Sequence, residues 1–69
     1  MVLKVEFDRE DDGRWLAEVM NLRGVMAYGS TQAEALKNVK VLALQVLADM
    51  IEHGEAPADI TTLEFTTAA

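Results

Sequence analysis

The sequence predicts one small α+β domain of order β-β-β-α-β: a three-stranded antiparallel meander plus a fourth strand, with one long helix packed on one face. Three observations carry this reading. Apolar and polar residues alternate with period two near both ends of the chain. The turn pairs Asp12-Gly13 and Arg23-Gly24 separate short strand-like runs. A capping box then opens a long stretch with helical spacing that closes on Gly54.

The first strand spans Leu3 to Asp8, with Leu3, Val5 and Phe7 on one side and Lys4, Glu6 and Asp8 on the other. Arg9 to Gly13 forms the hairpin turn, because glycine accepts positive φ at no steric cost. The second strand runs from Arg14 to Met20. Its uncharged set Trp15, Ala17 and Val19 is expected in the core, as are the aromatic rings of Trp15 and Tyr28. Asn21 to Gly24 is a second turn, Val25 to Tyr28 a third strand, and Gly29 its end. Connections this short make neighbours antiparallel.

Thr31-Gln32-Ala33-Glu34 is the capping box: the threonine oxygen accepts from the Glu34 N–H, and the Glu34 carboxylate reaches back to the Thr31 N–H. The helix is expected from Gln32 to His53, with Gly54 at the left-handed C′ position and Pro57 beyond. At ~100° per residue, Leu36, Val39, Ala43, Val46, Leu47 and Met50 share the stripe that covers the meander. Val41, Leu44 and Ala48 form a second apolar patch, and Leu42 lies on yet another side. A fourth strand fits Ile60 to Thr66, with Leu63 and Phe65 on one face.

Composition narrows function. The chain has 69 residues, 51% hydrophobic and 26% charged, with no cysteine and a net charge of −6. That is one domain, 1–69, without repeats or a linker. Folding at this size buries only ~60% of the unfolded surface, so the core is marginal and association with another chain is expected. Disulfides and thiolate metal sites are excluded. Twelve acidic against six basic residues disfavour direct contact with a nucleic acid and favour a basic protein. The start alternates apolar and charged residues, unlike a signal peptide. Apolar runs such as Val41 to Leu44 fall far short of the ~20 residues that span a bilayer. A cytoplasmic protein with no membrane contact is expected.

No catalytic apparatus is visible, and neither an enzymatic activity nor a cofactor or metal is expected. His53 is a single histidine at a helix C-terminus, which reads as a structural position. Ser30 adjoins the helix cap, so its hydroxyl reads as a turn group. The acidic run Asp8, Glu10, Asp11 and Asp12 lacks the spacing of a calcium loop. It reads either as a solvated hairpin tip or as the electrostatic contact for a basic partner. The patch Val41, Leu44 and Ala48 is the expected interface of a homo-oligomer, a dimer or higher.

Trp15-Leu16-Ala17-Glu18-Val19, Asn21-Leu22-Arg23-Gly24 and Gly29-Ser30-Thr31-Gln32-Ala33-Glu34-Ala35-Leu36, in that order and spacing, resemble the HicB family of antitoxins. The resemblance covers about residues 3 to 55. Met20 and Arg23 stand where the family tends to have proline, and Val25 where it often has cysteine. The resemblance implies a fold like a truncated ribonuclease H without its activity. It also implies a protein-binding role in a toxin–antitoxin system, the masking of a small basic HicA-type ribonuclease toxin. Many such antitoxins carry a C-terminal DNA-binding domain, and none is expected within these 69 residues. The alternative is a self-associating HicB-like domain with no toxin partner.

Overall fold

The computed structural model describes residues 1–55 and 60–67. Its elements are β1 (Val2–Arg9), β2 (Trp15–Val19), β3 (Met26–Gly29), α1 (Gln32–Glu52) and β4 (Glu64–Thr67). They form a four-stranded mixed sheet of order β3-β2-β1-β4, with the helix on one face. Pro57 lies outside the described residues.

The meander follows the turn chemistry. β1 and β2 pair antiparallel with Phe7 opposite Ala17 and Val5 opposite Val19. β2 and β3 pair with Ala17 opposite Ala27 and Trp15 opposite Gly29. At the second turn Asn21 replaces backbone with side chain: its Nδ2 donates to Val2 O (2.7 Å) and its Oδ1 accepts from Lys4 N (3.0 Å). The amide thereby extends the β1 ladder past the last paired residue of β2, where both backbone groups would otherwise turn to water.

β4 joins the free edge of β1 and runs parallel to it, Val2 opposite Glu64 and Val5 opposite Thr67. The direction follows from counting passes. β3 runs the same way as β1, the helix returns, and the next pass repeats the direction of β1. The strand is shorter than the expected Ile60 to Thr66. Its register lays Glu64 beside the first residue of β1, so Leu63 falls beyond that ladder and is 38% exposed. Phe65 packs against the core, while Leu63, set on the same face by its alternation, stays outside it.

The helix begins at an N-cap Thr31, whose Oγ1 accepts from Glu34 N at 3.1 Å. The return half of the capping box differs from expectation: the Glu34 carboxylate accepts from Ser30 N at 3.0 Å. Gly29 explains the shift. It is buried against the first helical turn, and a Cβ built there would stand 2.8 Å from Glu34 C and 2.9 Å from Ala35 Cα. This close approach folds the chain so that the Ser30 N–H meets Glu34. At the other end Gly54 takes φ 72°. Glu55 N donates to Met50 O and Gly54 N to Ile51 O, the paired bonds of a Schellman closure. His53 is the C-cap, with Nδ1 2.8 Å from the Asp49 carbonyl oxygen.

The core lies between the helix and one sheet face. Leu3 and Val5, Ala17 and Val19, and Val25 are buried from the sheet side. The helix contributes Ala35, Val39, Ala43 and Leu47. That line is one residue away from the expected stripe at its start. Ala35 is the buried member, and Leu36, Val46 and Met50 flank the core half-buried. The centre is a ridge of every fourth residue, and two alanines on it let the helix come close to the sheet. Leu42, expected as surplus, also packs against the core.

Candidate functional site

Two surfaces predicted from the sequence can be placed, the acidic hairpin and the outer face of the helix. A third, the uncovered face of the sheet, comes from the register alone.

The hairpin closes with Glu10 N donating to Arg14 O (2.8 Å) and Gly13 N donating to Glu10 O (2.9 Å). Gly13 takes φ 92°. Asp12 is held by its own turn: Oδ1 accepts from Arg14 N (3.0 Å) and Oδ2 from Arg14 Nε (2.7 Å). The backbone N–H of Arg14, then its guanidinium, keep the Asp12 carboxyl below the ordinary 3.8, against an opposing effect of desolvation. Arg14 in turn lies 4.4 Å from the centre of the Tyr28 ring. This chain Asp12–Arg14–Tyr28 neutralises part of the tip internally.

The four carboxylates named from the sequence are therefore not equivalent. Asp11 and Asp12 are exposed at the tip, and Glu10 is half-buried at its base. Asp8 belongs to β1, opposite Leu16, on the face the helix leaves open. Its Oδ1 accepts from Arg9 N at 2.9 Å.

The open face is where sequence reading fell short. Register sets Glu6 directly opposite Glu18, with Asp8 two residues further along β1. Like charges facing across a strand pair repel. Leu16 and Met20 flank these carboxylates, and together with Glu6, Phe7, Asp8 and Glu18 they line a shallow hollow of about 240 Å³. Met26 and Tyr28 continue the face and are 42% and 44% exposed. Tyr28 thus departs from its expected core place: it pairs with Leu16 on the open side, while Trp15, on the helix side, packs against the core and carries Arg9 at 5.5 Å. The signal was present in the alternation of β1 and β2. What was missing was the pairing that puts Glu6 against Glu18.

The helix patch is where the sequence placed it. Val41 and Leu44 are 51% and 48% exposed, Ala48 is exposed, and the structure adds Ile51 at 39%. These four face away from the ridge Ala35, Val39, Ala43 and Leu47.

Among the described residues no polar or charged side chain is buried, and no cluster of three His, Cys, Asp or Glu residues could hold a metal ion. No helix among them is long and apolar enough to cross a membrane. Compared with protein-family models, with curated proteins and with solved structures, the chain matches none.

Proposed function

We propose that the chain is an antitoxin-like binding module that occludes a small basic ribonuclease of the HicA type in the cytoplasm. The observation that carries this reading is the continuity of negative charge from the hairpin tip onto the open sheet face. Asp11 and Glu10 lead to Asp8, and Asp8 to the opposed pair Glu6 and Glu18. A basic surface laid there would relieve a repulsion that the free domain carries, and opposite fields speed encounter. The resemblance to HicB antitoxins supports the same reading, since the β-β-β-α-β order it implies, with the helix on one face, is the order of this chain.

The test is co-expression with a small basic ribonuclease of the HicA type, sought first in the reading frames adjacent to the gene. Relief of growth arrest and copurification are expected, and both should weaken when Asp8, Glu10 and Asp11 are changed together to Asn or Gln. Neither relief nor copurification with the native chain would overturn the reading.

A second reading is favoured by a separate observation. The exposed apolar residues Val41, Leu44, Ala48 and Ile51 suit a self-associating domain. The two are compatible, because they use opposite sides of the molecule.

A further inference from the structure

Val41, Leu44, Ala48 and Ile51 follow one another at spacings of three, four and three, the repeat of a helix seam that meets another helix. The charged residues around this seam are unevenly placed. Lys37 continues it toward the N-terminus, whereas Glu52 and Glu55 stand at its C-terminal end, all three exposed. That asymmetry distinguishes the ways in which two copies could meet.

We propose that the outer face of α1 is a homodimer interface in which two helices cross antiparallel about a two-fold axis at the level of Val46. This rests on the self-association reading and gives it a geometry. Such an axis sets Val41 opposite the partner's Ile51 and Leu44 opposite the partner's Ala48. A larger side chain then meets a smaller one in each layer, as interdigitation requires. It also brings Lys37 to the level of the partner's last helical turn, within reach of the partner's Glu52, twice by symmetry. A parallel pairing would instead stack Lys37 on Lys37, Glu52 on Glu52 and Leu44 on Leu44, and would align the two helix dipoles unfavourably. The surface is therefore complementary to itself in one orientation and not in the other. The seam from Val41 to Ile51 is only ~15 Å long at 1.5 Å per residue. An interface of that size is small, so the dimer is a weak one.

The chain contains no cysteine, so introduced thiols report the register without background. Leu44→Cys and Ala48→Cys proteins are mixed in equal amounts and oxidised gently. The expected product is the mixed disulfide between the two variants, in excess of either symmetric one. A predominant symmetric product between two Leu44→Cys chains would overturn the antiparallel register. Sedimentation of the native chain from micromolar to near-millimolar concentration should show a monomer–dimer equilibrium that Leu44→Glu abolishes, with circular dichroism confirming that the variant is folded. Lys37→Glu should weaken the dimer roughly five- to tenfold, and the double change Lys37→Glu, Glu52→Lys should restore it. A native chain that stays monomeric throughout would overturn self-association itself. A dimer that survives both Leu44→Glu and Lys37→Glu would overturn this face while leaving self-association intact.

Discussion

Gly29 and Ala35 are in backbone contact: the last residue of β3 lies so close to the first helical turn that a Cβ on Gly29 would overlap Ala35 N and stand 2.9 Å from Ala35 Cα. This approach sets the distance between helix and sheet at one end of the core. Next to it the Ser30 N–H donates to the Glu34 carboxylate. Gly29→Ala is therefore expected to destabilise the domain by about 1–3 kcal/mol, because the atoms in its way are backbone and cannot swing aside. Urea denaturation measures this, and a change within 0.5 kcal/mol would show that the helix start can move.

The buried ridge and the exposed seam of α1 should respond differently to truncation. Leu47 is 4% exposed and Leu44 48%. Leu47→Ala removes buried contacts and leaves a cavity, at a cost of about 2–4 kcal/mol. Leu44→Ala, measured at low concentration where the chain is monomeric, should stay within about 0.5 kcal/mol. Equal losses would mean that the two faces of the helix have been assigned wrongly.

Asn21 holds the start of β1 through both ends of its amide. Asn21→Ala should cost about 1–2 kcal/mol, since two hydrogen bonds are lost at a strand end that water can reach. Hydrogen exchange at the Lys4 amide should accelerate first. β4 pairs with the same stretch of β1, so protection there should fall as well.

Glu6 and Glu18 face each other across the β1–β2 pair. Glu18→Thr is expected to stabilise the isolated domain by about 0.2–1 kcal/mol, and added salt should shrink the difference. The same change should weaken capture of a basic partner. A variant that is more stable and binds less would mark the opposed pair as a binding feature, whereas unchanged binding would limit it to a local repulsion.

Asp12 has its folded-state carboxyl below the ordinary value of 3.8, first through the Arg14 backbone N–H. A depressed folded pKa contributes stability that is present above the unfolded value and lost as pH falls through the folded one. This contribution therefore disappears on acidification below about pH 4, the unfolded aspartate range. A carboxyl titration by NMR should place the Asp12 midpoint below 3.8. Arg14→Gln should retain part of the lowering, because the backbone donor survives the change while the guanidinium's hydrogen bond and charge are lost. A full return to the ordinary value would assign the effect to the guanidinium instead.

Much of this molecule is local chemistry, and local chemistry can be read along a sequence. Alternation in Leu3, Val5 and Phe7 orients β1, Asp12-Gly13 makes the hairpin, Thr31 caps the helix and Gly54 ends it. Each depends on residues within a few positions of one another. The acidic tip and the outer patch of α1 were legible for the same reason, since a turn and a helix place their side chains by short-range geometry. Relations between distant segments were settled by the tertiary structure. The helix is apolar on more than one side, so its periodicity alone could not choose Ala35 over Leu36; the close approach at Gly29 does. The parallel seat of β4 beside β1, the stranding of Leu63 beyond that ladder and the exposure of Tyr28 follow from strand order. The opposition of Glu6 and Glu18 follows from register, which no single strand contains.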